Sequence, residues 1–330
     1  MKEAKNIVRA IESAQNIVIT SHRSPDGDSM GSSLALLRFI KALGFDAVVC
    51  HPDPCPNFIE WIKRGDKILD FETDETKVIE CINNAELLFS LDYNALSRLG
   101  NGMGEVFDQA SGQKIMIDHH LNPEDFADIS VSEPTSCSTA QLIFELIDSS
   151  NNLNLISSLV AEPIYLGIMT DTGSFRFNSV TPRTHEIVAK LLNTGLDHSK
   201  VHEETFDGNR IDKLKLRGYA IAEKLEIVPE RKVAILSLTM EELERFNFVK
   251  GDTEGLVNVA LSVRGVESAV FLKETNSAVK MSFRSKGAPV NGIASDHFDG
   301  GGHKYAAGGV SYLEMDETIE KLKSVLINYF

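Results

Sequence analysis

Short continuous apolar runs alternate along this chain with stretches whose apolar residues recur every three or four positions. The runs at 16–20, 47–50, 86–91 and 114–117 read as β-strands. Helical spacing covers 2–14, with Ile7, Val8 and Ile11 on one face, and 31–43, with Leu34, Leu37 and Ile40; Gly44 ends the second. Strand, loop, helix and strand in that order make a βαβ unit and predict a parallel sheet. Pro52, Pro54 and Pro56 predict a looser connection at the start of 51–70, and Gly100, Gly102 and Gly104 punctuate the piece between the later strands. Further helices are expected at about 139–149 behind Ser136 or Ser138, at 155–169, and from Pro182 to about 193 behind Thr181.

A charged helix over 211–225 (Lys213, Lys215, Arg217, Lys224) reads as a connector, after which the pattern restarts. Strands are expected at 233–236, 269–272 and 279–283, and helices at 240–246, 253–263, 290–298 and 316–329. The expected organisation is a first α/β domain over 1–205, a helical connector over 206–226 and a smaller α/β domain over 227–330. No internal repeat or low-complexity segment suggests a solenoid or a disordered tail.

Composition narrows the partners. The net charge is −15, divided as −13 over residues 1–226 and −2 over 227–330. Long nucleic acid is held by many Lys and Arg contacts, so this balance favours a small phosphorylated ligand over a long polyanion. Cys50, Cys55, Cys81 and Cys137 form no CxxC pair, and the chain shows neither a signal-peptide pattern nor an apolar run of membrane-spanning length. A cytoplasmic protein with reduced thiols is expected, and Cys50, His51 and Cys55 read as a strand end entering a proline-rich loop rather than as a zinc site.

The chemistry-bearing residues follow the apolar runs. His22, Asp26 and Asp28 come after 16–20, Asp92 after 86–91, and Asp118, His119 and His120 after 114–117; Asp171 ends the helix at 155–169. Loops at the carboxyl ends of parallel strands are where open α/β sheets build sites. Imidazoles and carboxylates without a thiolate suit divalent ions such as manganese or magnesium. Gly27 is expected to relax the loop so that Asp26 and Asp28 point into one site.

The segment SHRSPDGDSMGSS from Ser21 to Ser33 resembles the first motif of the DHH phosphoesterase superfamily, and Asp118-His119-His120 resembles its namesake triplet. Asp92 and the stretch from Asp171 to Arg176 occupy the other two motif slots in order; Gly300 to Gly308 is similar to the GGGH signature of the DHH-associated domain. Together they resemble the stand-alone subfamily that hydrolyses very short oligoribonucleotides and 3′-phosphoadenosine 5′-phosphate. The resemblance implies a mostly parallel, five-stranded sheet flanked by helices, followed by the connector and the DHH-associated domain. It implies one metal on His22, Asp26 and Asp92, and a second on Asp28, Asp92, His119 and Asp171, with Asp92 bridging. Two manganese ions are expected, magnesium being the alternative, with a water between them attacking phosphorus in line.

The same resemblance implies roles around the metals. His120 is a phosphate ligand or the acid that protonates the leaving oxygen, and Asp118 orients a ligand histidine from behind. Arg176 is either a phosphate contact or a structural ion-pair partner; Arg98 is a charge balancer of the site or a packing residue. In the second domain Arg284, Ser285 and Gly300-Gly301-Gly302-His303 are expected to hold a substrate end across an interdomain cleft, the glycines forming an anion-binding nest. The implied partners are short RNA oligonucleotides or small phosphorylated nucleotides such as pApA, with no long nucleic acid and no membrane; a homodimer stays open. The alternatives are a cyclic-dinucleotide phosphodiesterase and an inactive nucleotide-binding regulator, the second disfavoured because every ligand position is filled.

Overall fold

The computed structural model describes residues 1–327 and 329, and the side chain of His303 lies outside the described residues. The chain divides after Gly208 into two compact units. No helix among the described residues is long and apolar enough to cross a membrane.

The first unit runs α1 (Ala4–Ser13), β1 (Ile17–Ser21), α2 (Gly27–Ala42), β2 (Val48–His51), β3 (Ile68–Asp70), α3 (Phe71–Asn83), β4 (Leu87–Leu91), α4 (Asn101–Gln109), β5 (Gln113–Asp118), β6 (Ile129–Ser132), α5 (Thr139–Ser149), α6 (Ser158–Asp171), α7 (Pro182–Leu192) and α8 (His198–His202). Its sheet has six strands in the order β3-β2-β1-β4-β5-β6, all parallel. One strand more than expected is present. Ile68–Asp70 and Ile129–Ser132 are short edge strands, partly exposed, with no continuous apolar run to announce them. The central strands β1 and β4 are buried at every residue, as sheets covered on both faces require. They are also where the strand order reverses, and the crevice outside such a switch point is the usual ligand site of an open α/β sheet.

Helix α2 starts at Gly27, four residues before the expected Gly31, because the Asp26 side chain caps it. Gly27 is therefore the first helical residue and has no positive φ; the loop-relaxing role expected for it does not apply. It is small because α6 passes so close that a Cβ would collide with the Thr170 side chain. A Cβ at Gly31 would lie 2.5 Å from the Pro163 carbonyl, and one at Gly167 would lie 2.7 Å from Asp28 Oδ1. These glycines bring the start of α2 against α6. Pro163 inside α6 has no N–H for the carbonyl of Leu159, and Arg38 Nη1 of α2 donates to that oxygen instead at 2.8 Å.

The second unit runs α9 (Ile211–Glu223), β7 (Leu225–Val228), β8 (Val233–Leu238), α10 (Met240–Arg245), α11 (Leu256–Leu261), β9 (Ser268–Glu274), β10 (Val279–Ser285), α12 (Asn291–His297), β11 (Asp299–His303), β12 (Ala306–Ser311) and α13 (Met315–Leu326). Its sheet order is β11-β12-β10-β9-β8-β7, with β8 and β9 parallel and the other pairs antiparallel. The helix expected as a connector is α9, and it belongs to this unit: Leu216 and Ala220 are buried in one core with Leu236, Leu238 and Phe271. The run Gly300-Gly301-Gly302 lies within strand β11 rather than in a turn, so the expected anion nest is not formed. Glycine is needed there for another reason, since a Cβ at Gly300 would collide with the Gly308 carbonyl across the ladder.

Candidate metal centre

The site grows from the carboxyl ends of β1, β4 and β5 and from the termini of three helices. His22 follows β1 and is buried. Its Nδ1 lies 2.7 Å from the carbonyl oxygen of Arg23; a carbonyl only accepts, so Nδ1 carries the proton and Nε2 offers its lone pair. That Nε2 is 3.3 Å from Asp92 Oδ2 and 4.0 Å from Asp26 Oδ2. Asp26 divides its oxygens. Oδ1 accepts from the N–H groups of Asp28 and Ser29, both at 3.0 Å, while Oδ2 faces His22.

His119 repeats the arrangement. Its Nδ1 donates to the Ser136 carbonyl at 3.2 Å, and its Nε2 lies 3.5 Å from Asp171 Oδ2, 3.6 Å from Asp92 Oδ1 and 3.8 Å from Asp28 Oδ2. Asp92 thus turns one oxygen to each imidazole, in a left-handed backbone conformation with φ of 64°. Only a few non-glycine residues adopt that conformation, and aspartate and asparagine are prominent among them.

Asp28 is buried against the start of α5, where its two oxygens accept from the N–H groups of Thr139 at 2.7 Å and Ala140 at 2.9 Å. Those N–H groups have no partner within their own helix, and the helix N-terminus favours a carboxylate. Thr139 Oγ1 also donates to Asp92 Oδ1 at 3.1 Å. Thr139 was not among the expected site residues. The Ser138 cap that precedes it was legible, and a cap implies free N–H groups just behind it.

The remaining expected residues separate by unit. Asp118 touches His120, not His119: Oδ1 accepts from His120 Nδ1 at 2.8 Å and Oδ2 from the His120 backbone N–H at 2.7 Å. Arg176 is exposed and uses Nε to donate to the Gly173 carbonyl at 2.6 Å, in the turn after α6. Arg284 and Ser285 lie on β10 of the second unit. There Arg284 Nη1 donates to the Phe283 carbonyl at 2.9 Å, and Ser285 Oγ accepts from Ser268 Oγ at 3.0 Å. Gly300, Gly301 and Gly302 lie on β11, and the side chain of His303 is outside the described residues.

Three sets of donor atoms therefore converge: His22, Asp26 and Asp92; Asp92, His119 and His120; Asp28, His119 and Asp171. Carboxylate oxygens and Nε2 lone pairs, with both Nδ1 protons held by backbone carbonyls, fit divalent cations.

Without cations the carboxylates oppose one another. Burial, then the charges of Asp92, Asp171 and Asp26, holds the Asp28 carboxyl well above the usual range. Burial, together with Asp92 and Asp26, raises Asp171 to about 7 despite His119. Burial works against protonation of His22, but Asp92 outweighs it and lifts the imidazole to about 9; burial would likewise raise Asp92, yet His22 draws it down to about 2.

A pH dependence follows. Asp171 and His22 both bind their protons more tightly in the folded chain, so their contributions to stability fade as pH rises. Asp171 loses its share between 3.8 and about 7, and His22 between 6.5 and about 9. Asp92 acts in the opposite sense but only below 3.8. Chelator-treated protein is expected to melt at progressively lower temperature from about pH 5 to about pH 9, and manganese to raise the melting temperature most at the upper end, where cations replace protons. Thermal melts with and without chelator check this; a chelated protein whose melting temperature climbs over that interval would contradict it.

A doubly wound α/β unit with a carboxylate–imidazole cluster at its switch point defines the class: an α/β protein whose central site has the donors that could hold divalent ions. The chain belongs to the DHH family, matching the DHH family N-terminal domain over residues 16–168 and the DHHA1 domain over residues 231–330. It is 30% identical to the bifunctional oligoribonuclease and PAP phosphatase NrnA of Thermus thermophilus, over 98% of this chain and 92% of that protein. It is 27% identical to the cyclic-di-AMP phosphodiesterase GdpP of Bacillus subtilis over 97% of this chain but only 49% of that protein. Among solved structures it superimposes on an exopolyphosphatase-related protein from Bacteroides fragilis with a TM-score of 0.96 and 37% identity, covering 99% of this chain and 96% of that one.

Proposed function

We propose that this protein is a metal-dependent phosphoesterase that hydrolyses short oligoribonucleotides and 3′-phosphoadenosine 5′-phosphate to mononucleotides. The observation that carries the reading is Asp92, whose two oxygens each face a different ligand imidazole, as a carboxylate shared by two ions requires. Near full-length similarity to the Thermus thermophilus oligoribonuclease and PAP phosphatase supports the substrate class, whereas the cyclic-di-AMP phosphodiesterase is matched over only half its length.

His22, Asp26 and Asp92 would hold one ion, and Asp28, Asp92, His119 and Asp171 the other; manganese is the proposed metal. Two divalent ions supply positive charge to the phosphate and acidify the attacking water. His120 holds the proton for the leaving oxygen. Burial disfavours its charged form, but the hydrogen bond from Nδ1 to Asp118 and the nearby Asp92 charge raise it above the ordinary imidazole value. An imidazolium fixed by Asp118 at one nitrogen can donate from the other. Arg176 steadies the Gly173 turn that follows Asp171.

In the second unit Arg284 is the proposed phosphate contact. Burial lowers its pKa, only partly offset by Glu254, so its charge is poorly solvated and gains from an anionic ligand. Arg284→Ala is expected to raise KM more than it lowers kcat, because such a contact is as strong in the ground state as in the transition state. Kinetics on a dinucleotide check this, and an unchanged KM would remove Arg284 from the binding residues.

The test of the whole reading is turnover of dinucleotides, 3′-phosphoadenosine 5′-phosphate, cyclic dinucleotides and pyrophosphate, with manganese and after chelation. Hydrolysis of the first two that chelation abolishes is expected. Preference for a cyclic dinucleotide or for pyrophosphate would overturn it.

A further inference from the structure

The segment leaving β4 after Asp92 ends in a tight turn over Leu96–Leu99 and is pinned to both neighbouring loops of the centre. The Arg98 carbonyl accepts from the N–H of Arg23, next to His22, at 2.9 Å. Asn94 Nδ2 donates to the carbonyls of His120 at 3.0 Å and Leu121 at 3.1 Å. Gly100, with φ of 77°, lets the chain bend under the Arg23 side chain, whose Cδ would be 2.8 Å from a Cβ at that position. The turn is thus built into the rim of the centre from both sides.

Arg98 belongs to this turn, and its side chain is partly buried. Among the described residues no hydrogen bond, ion pair or ring contact engages its guanidinium. Two other sheltered arginines of the first unit behave differently: Arg38 is 2.9 Å from Asp66 and Arg183 is 2.6 Å from Asp148. Its nitrogens still reach solvent, so the guanidinium is open to an anionic ligand. In a chain with 48 Asp and Glu against 33 Lys and Arg, that vacancy is not for want of carboxylates. The Arg98 charge also reaches His120, where it opposes protonation. A positive charge felt at the centre is relieved when an anion lies between the two.

We propose that Arg98 binds a non-bridging oxygen of the phosphate held at the carboxylate–imidazole centre, making it a further substrate-contacting residue of the first unit. This rests on the phosphoesterase reading above. A planar fork of donors suits a phosphate oxygen pair better than an ammonium does, so lysine replaces it poorly.

The experiment compares wild type, Arg98→Ala and Arg98→Lys, each loaded with manganese, using inorganic phosphate as the probe. Arg98→Ala is expected to weaken phosphate binding by calorimetry about 10- to 100-fold and to lower kcat by a similar factor. Metal content and melting temperature should stay near wild type, Arg98→Lys should fall between, and added guanidinium should restore part of the Arg98→Ala activity. Equal phosphate affinity of wild type and Arg98→Ala would overturn the proposal. So would an activity loss that guanidinium does not relieve and that comes with lost metal, since that marks a structural role. Absence of turnover in the wild type on every phosphoester tried would instead strike the phosphoesterase reading, while the phosphate comparison still judges Arg98.

Discussion

Asp92→Asn is expected to abolish turnover, with kcat lower by about a thousandfold or more, and to remove most of the bound metal. The substitution isolates charge from shape. Asparagine tolerates the left-handed conformation that Asp92 occupies at φ of 64°, so the turn after β4 should keep its form. What changes is the shared carboxylate. One oxygen faces His22 Nε2 at 3.3 Å and the other His119 Nε2 at 3.6 Å, and replacing either by an amide nitrogen leaves one ion without an acceptor. The Thr139 hydroxyl that donates to Oδ1 would also lose its charged partner. Metal analysis by mass spectrometry, a thermal melt and turnover of a dinucleotide decide the matter. A folded variant that keeps two metals and near-normal rates would remove the shared-carboxylate centre.

His120→Ala should lower kcat by roughly a hundredfold while metal content stays close to wild type. His119→Ala should lose metal, because its Nε2 faces Asp28, Asp92 and Asp171 together. The distinction rests on Asp118, which takes both the Nδ1 proton and the backbone N–H of His120. An acid must be protonated to act, and His120 is raised above the ordinary imidazole value. The alkaline limb of the kcat profile should therefore lie above that value in the wild type and move to lower pH in Asp118→Asn. His120 also belongs to one of the three converging donor sets, which makes the metal measurement decisive. If His120→Ala sheds metal as fully as His119→Ala does, His120 is a ligand and another group protonates the leaving oxygen.

The two units differ in how much of their chemistry the sequence carried. In the first, each expected ligand follows a strand or ends a helix whose pattern was legible: His22 after β1, Asp92 after β4, His119 after β5 and Asp171 closing α6. In the second, the glycine run at 300–302 resembled a flexible loop, since three glycines in a row have no intrinsic preference for a strand. Their pairing with Gly308, Gly309 and Ala307 on β12 makes them one, and that pairing is a contact between segments rather than a property of either.

By itself the sequence determined the α/β alternation, the parallel sheet of the first unit and the carboxylates and imidazoles that follow its strands. These follow from local periodicity and from residue type at strand ends, which neighbouring positions encode. Only the tertiary structure decided which oxygen faces which imidazole, that Asp118 serves His120, that Gly27 is a helix-packing residue, and that Thr139 and Arg98 belong to the rim. Each of these depends on groups far apart in the chain brought within a few ångströms: Thr139 on Asp28, Thr170 against Gly27, Arg23 beside Arg98. Such distances are set by how helices and strands pack, and no pattern along one segment contains them.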